Sequence, residues 1–125
     1  MAGERILVVD DESDIVELLR DVLTAEGFTV DAAADAATAL ELIRANIYDA
    51  ALLDFNLPDM DGVMLHRQIR QMDEELAARA IFMSGLLQSE ANLGYYMSES
   101  GGFLSKPFDI GEVLAQVRRV LGEEG

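Results

Sequence analysis

The chain has 125 residues, half of them hydrophobic, with a formal net charge of −15 and no cysteine. This size indicates one domain, residues 1–125, able to bury roughly two-thirds of its unfolded surface, and the missing cysteines exclude disulfides and thiolate metal sites, which fits a cytoplasmic location. The strong negative charge argues against direct nucleic-acid binding, and we expect no signal peptide and no membrane span, since no apolar stretch approaches the ~18 residues required.

Short apolar runs alternate with longer segments of helical period along the chain. Four runs predict strands buried on both faces, because they are continuously apolar: residues 6–9, 50–53, 80–83 and 102–104. A weaker strand is predicted at residues 28–30. The alternation predicts an α/β fold, a doubly wound five-stranded parallel sheet with five helices, whose ligand site lies at the carboxyl ends of the central strands.

The helices differ in the strength of their signals. The first has an apolar stripe from Ile15 to Leu23, and Gly27 suits the left-handed position that ends a helix. Three aspartates are predicted to cap the second, third and last helices: Asp35, Asp61 and Asp109. The fourth helix, residues 88–100, is marginal because it contains Gly94 and three serines. The acidic residues 73–75 are predicted to form a solvated turn.

Polar side chains follow four of the predicted strands. Asp10 and Asp11 follow the first strand, Asp54 the third, Ser84 the fourth, and Lys106, the only lysine, the fifth. In a parallel sheet these groups converge on one crevice. Two carboxylates 4 Å apart repel by about 4 kcal/mol at an effective dielectric constant near 20. Three of them therefore require cations, and Lys106 with a hard divalent ion such as Mg²⁺ would supply the positive charge.

Another interpretation treats each of these residues separately. Asp10 and Asp11 could simply cap the following helix, although residues 12–14 already offer capping groups. Asp54 is a less natural cap because a loop follows it, and Lys106 considered alone resembles any surface lysine. The joint occurrence of these groups at strand ends favours a functional site.

The chain resembles the receiver domain of two-component response regulators, the CheY-like family, over its whole length. The resemblance is carried by motifs in the same order and at similar spacing: Asp10-Asp11, Asp54 with Pro58, Asp61-Gly62, Ser84-Gly85 and Lys106-Pro107-Phe108. It implies the flavodoxin-like (βα)5 fold with strand order 2-1-3-4-5. It also implies a role in signal transduction through phosphorelay rather than in enzymatic turnover.

The resemblance implies a metal site that binds Mg²⁺ or Mn²⁺. Asp11 and Asp54 would be direct ligands, and Asp10 would act through a metal-bound water. Asn56 would contribute its backbone carbonyl oxygen, so its side chain would not be a ligand. These assignments follow from the family's pattern and not from spacing alone.

The resemblance also implies that Asp54 is the phosphoacceptor, which takes a phosphoryl group from the phosphohistidine of a sensor histidine kinase or phosphotransfer domain. Lys106 would pair with the phosphoryl oxygens, and Ser84 would donate a hydrogen bond to one of them. Movement of Ser84 would allow an aromatic side chain on the fifth strand, here Phe103, to turn inward. Phe103 could also be an ordinary core residue, and the two roles are not exclusive.

The expected output surface is the face formed by the fourth helix, the fifth strand and the fifth helix. It would contact an output domain or partner protein, and Tyr95, Tyr96 and Met97 could form that contact. The alternative is that one tyrosine ring packs inward and the other is merely exposed. Leu86 and Asn56 flank the expected phosphoryl site. A homodimer through the last helix is compatible with the sequence, although no motif requires one.

Two other functions compete with the receiver interpretation. A pseudo-receiver would use the fold as an interaction module without phosphorylation, but the complete polar set argues against it. A Mg²⁺-dependent phosphatase with an aspartate nucleophile is disfavoured because no acid stands two residues after Asp54 and no cap domain is present. His66 is not expected to relay phosphate, since its position beside Arg67 and Arg70 predicts a solvated helix face.

Overall fold

The computed structural model describes residues 3–84, 101–106 and 108–122. Its elements, in chain order, are β1 (Arg5–Val9), α1 (Ser13–Ala25), β2 (Thr29–Ala33), α2 (Ala36–Ala45), β3 (Ala50–Asp54), α3 (Gly62–Met72), α4 (Glu74–Ala78), β4 (Ala80–Ser84), β5 (Gly102–Ser105) and α5 (Ile110–Val120). The predicted fourth helix at residues 88–100, with Tyr95, Tyr96 and Met97, lies outside the described residues, as do Gly85, Leu86 and Pro107.

The five strands form one parallel sheet in the order β2-β1-β3-β4-β5. This confirms the predicted doubly wound α/β architecture. β1 and β3 are neighbours in the sheet. From this pair, the chain adds β2 on the side of β1 and adds β4 and β5 on the side of β3. Because all strands are parallel, the residues that follow β1, β3, β4 and β5 meet at one edge. The predicted polar side chains are at this edge.

Helices cover both faces of the sheet. On one face, Leu7 and Val9 of β1 pack with buried residues of α2, α3 and α4. On the other face, Ile6 and Val8 pack with buried residues of α1 and α5. Each fully buried aliphatic or aromatic side chain contributes roughly 1.5–3 kcal/mol to stability, which explains why β1, β3 and β4 are apolar on both sides. Among the described helices, none is long and apolar enough to cross a membrane.

The predicted helix boundaries are confirmed at four places. The side chains of three aspartates accept backbone N–H groups in the first turns of α2, α3 and α5, as their capping role requires: Asp35 from Thr38, Asp61 from Met64, and Asp109 from Glu112. After α1, Gly27 has a φ of 96°, in the left-handed region that glycine adopts without strain.

Two secondary-structure predictions are wrong in detail. β2 extends to Ala33 instead of ending at residue 30, because Asp31 and Ala32 continue the pairing with β1. Glu74 and Glu75 are exposed, as predicted for residues 73–75, but they begin helix α4 instead of forming a turn. The Asp73 side chain caps α4 by accepting the Leu76 N–H at 3.1 Å, and the burial of Leu76 stabilises this short helix.

The predicted solvated position of His66 is also wrong. The side chain is fully buried on α3, its Nε2 lies 2.8 Å from the Ala77 carbonyl oxygen, and its ring is 5.3 Å from that of Phe82. Its arginine neighbours suggested a polar face, but α4 packs over this part of α3. His66 therefore links α3 to α4, and it is not accessible as a phosphate carrier.

Candidate functional site

Asp10 lies directly after β1 and is almost completely buried. Both carboxylate oxygens have partners. Oδ1 accepts the Glu12 backbone N–H at 2.9 Å, and Oδ2 accepts from the Lys106 ammonium at 2.9 Å. The end of β1 therefore holds a buried carboxylate in a fixed orientation. Its negative charge is balanced directly by the chain's only lysine.

Asp54 is the last residue of β3, and its side chain is 7% exposed. A tight loop follows, in which the Gly62 N–H donates to the Phe55 carbonyl oxygen at 2.7 Å and Asn56 pairs with Asp61. A Cβ atom at Gly62 would lie 2.9 Å from the Phe55 Cα, so only glycine fits there without movement. The loop consequently returns to the β3 edge and keeps Asn56 next to Asp54.

Ser84 and Lys106 reach the same edge from β4 and β5. Ser84 is buried at the end of β4, and its carbonyl oxygen accepts the Lys106 backbone N–H at 2.7 Å. The Lys106 side chain then extends across the sheet edge towards β1 and β3. Its Nζ lies 2.9 Å from Asp10, 3.0 Å from Glu12 and 3.5 Å from Asp54. One ammonium group thus connects three carboxylates.

The site holds more negative than positive charge, since one ammonium group faces three carboxylates. Burial, followed by the negative charge of Asp10, raises the pKa of Asp54 to about 6, although Lys106 acts in the opposite direction. Burial would lower the pKa of Lys106, but its hydrogen bonds to Asp10 and Glu12 and the charges of Asp10 and Asp54 raise it instead. Lys106 is therefore a permanent cation at neutral pH. It does not fully compensate the carboxylates around it.

The donor set suits a hard divalent cation. Carboxylate oxygens of Asp10, Glu12 and Asp54 lie within 4.8 Å of one another. Burial, followed by the charge of Asp10, raises the pKa of Asp54, so a nearby cation would favour its ionised form. Asp11, the predicted direct ligand, is exposed and is not in this group of carboxylates among the residues described. Asn56 is exposed beside Asp54. The residues present therefore fit a small oxygen-liganded ion.

The sequence interpretation brought Asp10, Asp54, Ser84 and Lys106 together correctly in space but missed Glu12. The sequence predicts Glu12 only as one of the capping groups of the first helix. It does occupy the N-cap position of α1, but its side chain makes no capping hydrogen bond and pairs with Lys106 instead. The sequence does place an acid two residues after Asp10 in a chain with a single lysine, which could have indicated a pairing of Glu12 with Lys106. Sequence spacing alone could not show the direction of the side chain.

Phe103 lies farther back on β5, opposite Phe82 in the sheet register. It is half-buried and packs against the core cluster that includes Phe82. The Phe103 carbonyl oxygen accepts the Gln116 side chain of α5 at 3.3 Å. Phe103 is thus placed between the site edge and α5, with a side chain that is neither fully exposed nor fully enclosed.

A groove of about 750 Å³ lies at the opposite end of the sheet, lined by residues at the start of β1 and at the ends of α2 and α3. It includes Arg5, but that guanidinium group already lies 3.6 Å from Asp31, 3.4 Å from Asn46 and over the Tyr48 ring. The groove contains none of the carboxylates that surround Lys106. The groove is therefore separate from the carboxylates at the carboxyl edge of the sheet.

Comparison with known proteins identifies close relatives. The family model described as "Response regulator receiver domain" matches residues 6–118. The transcriptional regulatory protein PrrA of Mycobacterium tuberculosis is 34% identical over 125 residues, covering 100% of this chain and 53% of PrrA. Sporulation initiation phosphotransferase F of Bacillus subtilis is 32% identical over 126 residues, covering 97% of this chain and 96% of the relative.

Solved structures agree with these sequence relatives. The response regulator TrrA of Thermotoga maritima, crystallised in complex with Mg²⁺-BeF, has a TM-score of 0.84 and 29% identity, covering 94% of this chain and 99% of TrrA. The chain spans about half the length of the first curated relatives it matches.

Proposed function

This chain belongs to the response regulator receiver family, and on that basis we propose that it accepts a phosphoryl group on Asp54 and uses this modification to control a partner or an attached output domain. The observation that carries the proposal is the position of Lys106, whose Nζ lies 2.9 Å from the buried Asp10 and 3.5 Å from Asp54. This arrangement supports the proposal because an ammonium group so near Asp54 would pair with the oxygens of a phosphoryl group bound there. We take residues 1–125 as one receiver domain, acting in the cytoplasm.

The proposed reaction is transfer from a phosphohistidine to a carboxylate. An Asp54 oxygen attacks the phosphorus atom, the phosphorus–nitrogen bond breaks, and an aspartyl phosphate forms. The departing imidazole of the kinase or phosphotransfer domain takes up a proton from solvent. The attack requires the ionised form of Asp54, and a pKa of about 6 leaves that form predominant at pH 7. Burial of Asp54 keeps bulk water away from the reacting carboxylate.

Two side chains would stabilise the transferred group. The Lys106 ammonium would pair with one phosphoryl oxygen, and the Ser84 hydroxyl would donate a hydrogen bond to another. The support is their placement: Ser84 ends the strand beside Asp54, and the Lys106 backbone is held by the Ser84 carbonyl oxygen. Such preorganised donors stabilise charge as it develops on phosphoryl oxygens.

A divalent cation, Mg²⁺ or Mn²⁺, would be held by Asp54, by Asp11, by the backbone carbonyl oxygen of Asn56 and, through water, by Asp10. The compact group of carboxylates at this edge supports such a site. TrrA, crystallised with Mg²⁺-BeF, is a relative with the same fold. When bound, the ion would neutralise negative charge on the phosphoryl group and on the carboxylates.

The output would be a shift between two conformations. Phosphorylation adds about −1.5 to −2 charges, which would draw the Ser84 hydroxyl towards Asp54 and allow Phe103 to turn inward. Phe103 lies on β5, and its carbonyl oxygen accepts a hydrogen bond from the Gln116 side chain of α5. A movement of Phe103 would therefore reach the α5 surface. We propose the face of residues 88–100, β5 and α5 as the contact for an output domain, a partner protein or a second copy of the chain.

Phosphorylation can be tested with acetyl phosphate and Mg²⁺, followed by intact mass. We expect stoichiometric addition of one phosphoryl group to the native chain and no addition to Asp54→Asn, because the amide is not a nucleophile. Asp21→Asn, an exposed change on α1, serves as the matched control and should be labelled normally. No adduct on the folded native chain would favour the pseudo-receiver interpretation. Multiple turnovers of a generic phosphomonoester would favour a phosphatase.

A further inference from the structure

The side chain of Glu12 is used in an unexpected way. Glu12 occupies the N-cap position of α1 but does not cap the helix. Its Oε1 lies instead 3.0 Å from the Lys106 Nζ, 94 residues away in sequence. The Glu12 side chain is 61% exposed, whereas that of Lys106 is only 12% exposed. Glu12 therefore reaches in from solvent to bind the buried ammonium group.

Lys106 has as many neighbouring carboxylates as it has N–H groups. A lysine ammonium offers three donors, and three carboxylates surround this one. The contacts to Asp10 and Glu12 are 2.9 and 3.0 Å, while the contact to Asp54 is 3.5 Å. The two short contacts direct the ammonium towards the β1 side of the site. A phosphoryl group on Asp54 would need at least one of these donors.

The two short contacts differ in how easily they can be given up. The Asp10 side chain is 0% exposed, so loss of Lys106 would leave a buried carboxylate without its cation, which is strongly unfavourable. Glu12 is largely solvated, and water can replace Lys106 at its carboxylate with little loss. Of the two short contacts, the one with Glu12 is therefore the less costly for Lys106 to exchange for a phosphoryl oxygen.

We propose that Glu12 is a positioning residue that tethers Lys106 in the unphosphorylated chain and competes with the phosphoryl group for the ammonium. This inference rests on the proposed phosphorylation of Asp54. Glu12 thereby weakens binding of the phosphoryl group and biases the equilibrium towards the unmodified state. It acts through Lys106 and does not itself touch the reacting atoms.

The tether can be observed without phosphorylation. Lys106 is the only lysine in the chain, so ¹⁵N-lysine labelling gives a single side-chain ammonium signal that needs no assignment. We expect Glu12→Gln to shift this signal and to speed its exchange with solvent. Glu17→Gln, which removes an exposed carboxylate of α1, should leave it unchanged. An unchanged lysine signal in Glu12→Gln would overturn the tether.

The competition is tested by beryllofluoride affinity at saturating Mg²⁺. We expect Glu12→Gln to bind beryllofluoride about twofold to fivefold more tightly than the native chain, which is the range that one exposed ion pair provides. In a Lys106→Met background the same change should have no effect, because Glu12 acts through the ammonium. A general structural role would not produce this dependence on Lys106. Unchanged or weaker beryllofluoride binding in Glu12→Gln would overturn the competition.

The two arms separate this inference from the proposed function. If the native chain binds no beryllofluoride but Glu12→Gln still shifts the lysine signal, the phosphorylation proposal fails and the tether stands. The proposed competition then also fails, because there is no phosphoryl group to compete with. If the native chain binds beryllofluoride and Glu12→Gln changes neither readout, Glu12 has no positioning role and the phosphorylation proposal is unaffected. Mg²⁺ affinity is measured separately for each variant, so that a lost metal ligand is recognised by its own signature.

Discussion

Asp54 is a buried acid beside another buried acid, and its properties follow from that placement. Burial and the charge of Asp10 raise its pKa from 3.8 to about 6. The folded protein consequently binds this proton more tightly than the unfolded chain does. The resulting stabilisation is fully present below about pH 4 and is lost as the pH rises through 6. At neutral pH the charged carboxylate is a source of instability, retained because the proposed reaction needs a nucleophile.

Asp54→Asn should therefore stabilise the chain in the absence of divalent metal. We expect the free energy of unfolding to increase by about 1 kcal/mol at pH 7, a value reduced to allow for solvent screening, and the increase to disappear below pH 4. Urea unfolding in a chelator across this pH range measures it, with the exposed Asp21→Asn as control. Destabilisation by Asp54→Asn at pH 7 would contradict the charge imbalance.

His66 has a structural role that can be measured on the same scale. His66→Ala removes a fully buried ring and leaves the Ala77 carbonyl oxygen without that partner. We expect a loss of about 2 to 4 kcal/mol of unfolding free energy. Met64→Ala on the same helix, where the side chain is 50% exposed, should change stability by less than about 0.5 kcal/mol. Equal effects of the two substitutions would show that His66 does not hold α4.

The sequence pattern predicts the positions of Asp10, Asp54 and Lys106 but not those of the His66 and Glu12 side chains. Asp10, Asp54 and Lys106 could be placed together because each follows an apolar run, and a parallel sheet brings the run ends to one edge. His66 was misplaced because burial depends on α4, a five-residue helix too short to give a periodic signal. Glu12 was missed because its side-chain direction depends on Lys106, 94 residues away.

At the scale of elements, local chemistry explains most helix starts, and one long-range contact supplements it. Asp35 caps α2 through Thr38, which the sequence predicts. Asp59, from the loop that follows Asp54, also accepts the N–H groups of Ala36 and Ala37 at 2.9 and 3.0 Å. The α2 start is therefore bound to the loop beside Asp54. No local motif could predict this second cap, because Asp59 lies 23 residues from Ala36 and 22 residues from Ala37 in sequence.

The contact between Asp59 and α2 gives a local prediction. These hydrogen bonds lower the pKa of Asp59, so they stabilise the folded chain at neutral pH and weaken as the pH falls through that lowered pKa. We expect Asp59→Asn to speed amide hydrogen exchange at Ala36 and Ala37 and to leave Thr38 less affected. Asp35→Ala, which removes the oxygen that accepts the Thr38 N–H, should have the opposite distribution. Uniform exchange changes along α2 in both variants would argue against two separate caps.

At the scale of the whole molecule, the acidic edge is part of a chain with a net charge of −15. Such charge destabilises the compact state by self-repulsion. Monovalent salt relieves this repulsion generally, whereas a divalent ion bound as proposed at the edge of Asp10 and Asp54 would relieve it at one place. The two contributions can be separated because only the second depends on these carboxylates.

Mg²⁺ should therefore stabilise the chain beyond its effect on ionic strength. At a concentration about one hundred times its dissociation constant, a specifically bound ion adds about 2.7 kcal/mol to the unfolding free energy. We expect this increment over NaCl of matched ionic strength, and we expect Asp10→Asn to abolish most of it. The measurement is thermal unfolding with and without chelator. If Mg²⁺ and matched NaCl stabilise equally, the edge does not bind the ion specifically.

The central claim is that Asp54 carries the phosphoryl group, and chemical trapping tests it most directly. Borohydride reduces an aspartyl phosphate to homoserine, so the chain is incubated with acetyl phosphate and Mg²⁺, reduced, digested and mapped by mass spectrometry. We expect homoserine at position 54 and at no other aspartate. Homoserine at Asp10 or Asp11, or none at all in a folded, Mg²⁺-loaded chain, would contradict the account.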